Sequence, residues 1–431
     1  MSKKFCLLIL ILMMGCANDY IEKESSDDTA TVPLAVQSID VSVDTVKFSF
    51  NLINPERIEQ IQVQRDSVEV PLTHYDGSTV FFTPTLNASF LDYKITNDEP
   101  TLTQNTTYYY SVFYREDALN TPPTRFKDYT IRTLTYKEGM QQLLLSLMTK
   151  TKEMNSNSDV LFSSQLLELF FDFSNEWTII DSDLVRNMDG VIVDSLNFKL
   201  PQDAPQDAAV KTLNETLIGK LKEAKRVFAV DYCTKGSGNA ANSITKYDEL
   251  GIVGLTRLDT NPSDFSQMHD IRLEDANTSI TNIDSTDLNN FVLIDTPVSG
   301  VISSLEATNY DLIVMSPFTS ASWSTMHSAA DVARLKSKHG NANSKRLVYA
   351  YIDISMALKT NDYYWQTAWN DERPNWIPGN MPLKTNEFYI YYWRNEWVTI
   401  LNSVIEALNS RHYDGIVFGG AHRFKEYPLV F

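Results

Sequence analysis

Arg346-Leu347-Val348-Tyr349-Ala350-Tyr351-Ile352-Asp353 is the stretch on which the fold turns. A short, unbroken apolar run ending in a carboxylate suits a strand buried on both faces, as in a parallel sheet covered by helices. Seven similar runs share the second part of the chain: residues 160–163, 190–193, 226–230, 251–255, 291–294, 312–315 and 415–418. Helical periodicity lies between them. Trp393, Trp397, Ile400, Leu401, Val404, Ile405 and Leu408 make one apolar stripe, and Leu143, Leu144, Leu147 and Met148 another. Eight β units within 135–431 predict a (β/α)8 barrel, a fold of about 250 residues before insertions. An open doubly wound sheet is the alternative. No Gly-x-Gly-x-x-Gly follows a strand, so no dinucleotide cofactor is expected.

Residues 33–134 read differently. Alternation in Ile39-Val41-Val43, Val46-Phe48-Phe50, Ile61-Val63 and Val80-Phe82, broken by turn residues, predicts a β-sandwich. The run Asn105-Thr106-Thr107-Tyr108-Tyr109-Tyr110-Ser111-Val112 resembles the Asn-Thr-x-Tyr-x-Tyr-x-Val strand of fibronectin type III domains. That resemblance implies a corner hydrogen bond from the first tyrosine, with alternate residues facing the core.

The chain is 431 residues long, with 37 Lys+Arg against 55 Asp+Glu, a net charge of −18. That length suits two or three domains. The acidic balance disfavours nucleic acid as a partner. Three cysteines cannot build a disulfide framework. Lys3 and Lys4 precede an apolar run at 5–14, too short to span a bilayer but suited to a signal peptide. The run closes in Met13-Met14-Gly15-Cys16, which resembles a bacterial lipobox and implies lipid on Cys16 after loss of residues 1–15. That loss removes Lys3 and Lys4 and no acid, taking the charge from −18 to −20. Residues 16–32 read as an acidic, flexible tether. Acids just after the cysteine resemble the export signal of Bacteroidetes lipoproteins, which implies an outer-membrane lipoprotein exposed at the cell surface.

Motifs in the second part resemble glycoside hydrolase family 114, which contains endo-α-1,4-polygalactosaminidases. Tyr310-Asp311-Leu312-Ile313-Val314-Met315 is similar to its FDLVVID strand, and the opening stretch 346–353 to VLAYISIGEAE. Tyr363-Tyr364-Trp365 and residues 389–397 resemble YRxYW and YYVDYWDPEW. Residues 413–418 resemble FDGVYLD. Strands that the family places later occur earlier here: residues 188–194 resemble IDGIGQE, and 227–232 resemble VLVVDY. The order implies a circular permutation, with family strands running 5, 6, 7, 8, 1, 2, 3, 4. It requires the strand at 291–294 to pair beside the one at 251–255.

Glycosidic cleavage uses two carboxyl groups flanking the bond, and barrel sites lie at the C-terminal strand ends. The resemblance keeps an acid at Asp194 and at Asp231. It loses one at Ser316, at Met356 and at Gly419, and its next Asp falls on His422. Asp194 and Asp231 are therefore the leading catalytic candidates, with Asp353 in reserve. Asp295, Ser316, His422 and Arg423 are expected at the same mouth as substrate contacts. Trp365 and Trp376, in a polar loop after the third family strand, are expected to offer flat faces to sugar. Asp189 and Asp414 precede glycines at strand starts and read as turn residues at the opposite end. Six scattered histidines show no zinc spacing, so no metal is expected. Cys233 has no adjacent histidine base.

Two functions fit. One is a glycoside hydrolase acting on extracellular polysaccharide or oligosaccharide. The other is a catalytically inactive barrel that binds glycan at the surface. In either case Cys16 would hold the protein to the membrane.

Overall fold

The computed structural model describes residues 21–22, 34–52, 58, 60–73, 75–83, 89–92, 102–116, 122–172, 178–179, 182–258, 268–269, 276–319, 324–382 and 384–427. The signal segment and Cys16 lie outside them. Contacts divide the chain into two compact units, Met1–Glu138 and Gly139–Phe431.

The first unit is a β-sandwich. Strands β1 (Leu34–Val41), β2 (Val46–Leu52) and β5 (Ser89–Asp92) form one antiparallel sheet. Strands β3 (Gln60–Asp66), β4 (Ser78–Thr83), β6 (Thr107–Arg115) and β7 (Thr124–Arg132) form the other. Ile21–Glu22 pairs on the free edge of β7, so part of the expected tether is a short strand. The sheets meet through Phe48, whose ring lies 5.2 Å from Tyr110 and 5.5 Å from Tyr129. The Tyr108 hydroxyl accepts from the Thr103 amide at 2.8 Å. This is the corner bond that the 105–112 resemblance implies, and it fixes the entry into β6.

The second unit begins within α1 (Tyr136–Met154) and carries eight parallel strands. They are β8 (Asp159–Ser164), β9 (Gly190–Asp194), β10 (Arg226–Tyr232), β11 (Val253–Arg257), β12 (Phe291–Ile294), β13 (Leu312–Met315), β14 (Leu347–Asp353) and β15 (Gly415–Gly419). The sheet order is 11-10-9-8-15-14-13-12. Each strand thus pairs with its chain neighbours, β11 and β12 excepted, and the first pairs with the last. All eight expected strands form. One shifts: Gly251 ends α2 (Asn239–Leu250) in the left-handed region, φ 65°, so β11 starts two residues later.

The expected pairing of β12 with β11 is not made. They are neighbours, but no hydrogen-bonded ladder joins them, and β11 pairs instead with the antiparallel Met268–His269. Side chains bridge this seam. Phe228 and Phe291 rings lie 5.1 Å apart, and Arg226 Nη2 donates to Leu288 O at 2.7 Å. The barrel is nearly closed.

Alternate residues fill the interior: Leu161, Ile192, Phe228 and Val230, Leu255, Leu293, Val314, Tyr349 and Val417 belong to one buried cluster. Helix α3 (Asn395–Asn409) buries Trp397, Leu401, Val404, Ile405 and Leu408. Trp393 precedes it and stacks instead with Tyr391, Tyr392 and Tyr427. At the N-terminal strand ends, Asp189 accepts from the Val160 amide and Asp414 from the Val348 amide, at 2.7 and 3.0 Å. Each aspartate pins the start of a neighbouring strand, as the turn reading expects.

Candidate functional site

The two-residue period of a strand carries the interior set up to the C-terminal mouth. Ile192 leads to Asp194, Val230 to Tyr232, and Leu255 to Arg257. Leu293 leads to Asp295, Val314 to Ser316, Tyr351 to Asp353, and Val417 to Gly419. Parity thus places three carboxylates from three strands on one rim.

Arg257 and Asp295 meet across the unpaired seam, Nη1 to Oδ1 at 3.1 Å. The Arg257 guanidinium also lies over the Tyr232 ring, 5.4 Å from its centroid. The Tyr232 hydroxyl acts on Asp194 and holds its carboxyl down. Gln165 Nε2 and Ser195 Oγ donate to the same carboxylate, both at 3.4 Å. Burial first, and the Asp295 charge after it, push the Asp194 carboxyl above its ordinary value despite these donors. Burial likewise raises Asp353, against the opposing pull of Arg423 and of Ser355. The Ser355 amide and hydroxyl both donate to Asp353 Oδ1, at 2.8 and 2.5 Å.

Tyr351 stands at the centre of this group. Asp353, Asp295, Asp194 and Tyr232 all act on its hydroxyl, which burial already holds strongly protonated. Gly419 makes room for it, because a β-carbon there would meet the Tyr351 ring and hydroxyl. Gly420, at φ 81°, lets the chain pass close to Asp353 and Ser355. Arg423 lies beyond, 3.4 Å from Glu426 and under the fields of Asp353, Tyr351 and Glu387. The Nε atoms of Arg257 and Arg423 are buried with no hydrogen-bond partner among the described residues.

Asp231 is elsewhere. Parity turns it from the interior, and it is fully buried. Its Oδ1 accepts from the Asn197 and Phe198 amides at 2.5 and 2.9 Å, and its Oδ2 from Asn197 Nδ2 and the Tyr247 hydroxyl at 2.7 and 2.6 Å. Four donors saturate this carboxylate, so it holds the chain after β9 and has no lone pair left for a substrate.

The tryptophans also depart from expectation. Trp365 and Trp376 are each only 6% exposed. Trp365 packs 4.6 Å from Phe388, and Trp369 joins it to Trp376, which leans on Trp397. The segment between β14 and α3 is thus folded around its own rings, with a three-stranded sheet of Met356–Leu358, Glu387–Tyr389 and Gly379–Asn380. Its flat faces are spent on packing. Ser316 is 2% exposed, and its hydroxyl accepts from the Phe318 amide at 3.4 Å. His422 is held neutral by burial and by Arg423, its pKa down to about 3, and its Nδ1 lacks a hydrogen-bond partner among the described residues. Burial and the Asp231 charge push the Cys233 thiol up to about 12, which makes it unreactive. No group of three or more metal-ligating side chains occurs among the described residues.

Tyr232, Arg257, Tyr351, Gln165 and Glu387 are the site residues that motif reading passed over. Strand parity was the signal that could have found the first three.

No family model matches the chain. A curated relative, an uncharacterized protein of Thermotoga maritima, is 28% identical over 67 residues, 16% of this chain and 20% of that protein. Among solved structures, the chain is similar to the FN1–FN3 domains of chicken CNTN1 (17% identity, 23% of this chain, 30% of that one, TM-score 0.17). It is also similar to the fn3 domain of human collagen α-1(XX) (17%, 26%, 89%, TM-score 0.16). Parabacteroides merdae β-glucuronidase aligns over 90% of this chain and 47% of its own, at 10% identity and TM-score 0.24. Likenesses this slight define no family; the two folds stand on the strand pairing described above.

Proposed function

We propose that the barrel is a glycoside hydrolase of the polygalactosaminidase type, acting on extracellular polysaccharide, with Asp194 and Asp353 as its carboxyl pair. The observation that carries this is the convergence of Asp194, Asp295 and Asp353, from three strands, on one rim. Two of these carboxyls, Asp194 and Asp353, are raised by burial, and raised carboxyls at a barrel mouth are a mark of acid–base chemistry. Asp194, its pKa raised by burial, would give its proton to the leaving oxygen. Asp353, beside Arg423, would attack or activate water. Arg257 and Arg423, each with a buried unpaired Nε, have donors left for sugar oxygens. The family relation and its permutation are part of the proposal. The unpaired seam between β11 and β12 counts against the permutation, which requires a ladder there. The Tyr108 corner supports a fibronectin type III-like spacer.

A second reading, glycan binding without cleavage, is favoured by one feature: Tyr351 fills the room beside Gly419, where the family motif carries an acid. Purified protein incubated with galactosaminogalactan and other polysaccharides separates the two. Oligosaccharide release abolished by Asp194→Asn and by Asp353→Asn supports hydrolysis. Equal release from all three proteins removes both acids from the mechanism, and retention of polysaccharide without release supports binding alone. Anchoring through lipid on Cys16 at the outer membrane is a separate proposal, tested by fatty-acid labelling of the cells with and without Cys16→Ser.

A further inference from the structure

We propose that the Tyr351 hydroxyl is a substrate-contacting catalytic residue, the neutral donor that seats the sugar between Asp194 and Asp353. This rests on the reading of the mouth as a sugar site and adds a residue to it. Four observations bear on it.

Tyr351 projects from β14 into the barrel, two residues before Asp353, so ring and carboxylate share one face. It is only partly buried, and its hydroxyl makes no hydrogen bond with any described residue. Two other tyrosine hydroxyls of the barrel are satisfied: Tyr349 donates to Asp159 and Tyr247 to Asp231. A partly accessible hydroxyl at the mouth with no protein partner keeps its donor and its acceptor for a ligand. The space for it is built in, since β15 has no side chain at Gly419, and the hydroxyl occupies that gap.

The chemistry is restricted by the neighbours. Asp353, Asp295 and Asp194 all oppose loss of the phenolic proton. Tyr351 therefore cannot serve as a phenolate nucleophile; it donates one hydrogen bond and carries no charge. A neutral donor amid three carboxylates keeps a sugar oxygen from facing only acceptors. No bond is made or broken at the tyrosine itself.

The test compares wild type, Tyr351→Phe and Asp194→Asn on the polysaccharide that the wild type releases or retains. Removing only the hydroxyl is expected to lower kcat/KM, or affinity if the protein only binds, by roughly tenfold, the worth of one lost hydrogen bond. The melting temperature should hold, because the hydroxyl has no partner in the protein to lose. Tyr351→His, which restores a ring donor, is expected to recover part of the loss. Activity or affinity of Tyr351→Phe equal to wild type overturns the role while leaving the sugar site standing. So does a loss accompanied by a matching fall in melting temperature that Tyr351→His does not relieve. A wild type that neither cleaves nor retains any polysaccharide overturns the sugar-site reading, and the tyrosine's role with it.

Discussion

A β-carbon at position 419 would lie 2.0 Å from the hydroxyl oxygen of Tyr351 and 2.3 Å from the ring carbon that bears it. The two residues face each other across paired strands, β14 and β15, in which Tyr351 is registered with Val417 and Asp353 with Gly419. Neither the strand backbone nor a ring packed against the barrel interior can absorb so close an approach without moving. Gly419→Ala is therefore expected to destabilise the barrel by about 1–3 kcal/mol, the usual range for overpacking. In a Tyr351→Ala background the same change should be far milder, because the ring is gone. Thermal or denaturant unfolding of the four proteins measures the coupling; equal effects in both backgrounds would sink the steric explanation.

Asp231→Asn is expected to damage stability and not chemistry. One Asn197 amide, the Phe198 amide, the Asn197 side chain and the Tyr247 hydroxyl all donate to this carboxylate. An amide in its place offers donors where acceptors are needed. A loss of about 1–3 kcal/mol is expected, read by urea unfolding. Turnover or binding per folded molecule should be unchanged. A soluble, fully folded Asp231→Asn protein without function would return Asp231 to the active site.

The rim acids predict a stability that depends on pH. Burial raises Asp194 and Asp353 above the usual carboxyl value of 3.8. Above that value the folded protein holds protons that the unfolded chain has released, so stability declines as pH climbs toward the folded pKa values. Asp194→Asn and Asp353→Asn abolish that decline at their positions. Each variant should melt higher than wild type at pH 7, with a smaller gain at pH 4. Melting curves at the two pH values check the sign. A variant that melts lower than wild type at pH 7 would show that these carboxylates stabilise the fold.

Arg257 is expected to act as a clasp. No ladder closes β11 to β12, and the 3.1 Å contact to Asp295 spans that gap. Arg257→Met keeps the length of the side chain and removes the ion pair. Amides of Val253–Arg257 and Phe291–Ile294 should then exchange with solvent faster, while those of β8 and β9 stay protected. Uniform exchange across all eight strands would mean that the seam is held by its apolar contacts alone.

Much of the barrel was legible because short apolar runs with helices between them allow few arrangements. All eight runs became strands. The one misplaced start, at Gly251, came from reading a helix-ending glycine as strand. Asp194 and Asp353 were legible as strand-end acids. Asp231 was misread because it too ends a strand, yet its neighbours Val230 and Tyr232 take the interior face. A one-residue change of parity turns a rim carboxylate into a buried tie. Trp365 and Trp376 were misread because a polar, proline-containing stretch looked like open loop, whereas five or more aromatic rings there can build a core of their own.

By itself the sequence determined the strands, their alternating faces and the sandwich that precedes them, because hydrophobic period and turn chemistry are local properties of the chain. Only the tertiary structure decided which acids share a mouth, which tryptophans are spent on packing, and that the barrel closes at β11 and β12 through side chains. Those outcomes depend on strands brought together from distant parts of the chain, as when the bare backbone of Gly419 leaves the space that Tyr351 fills.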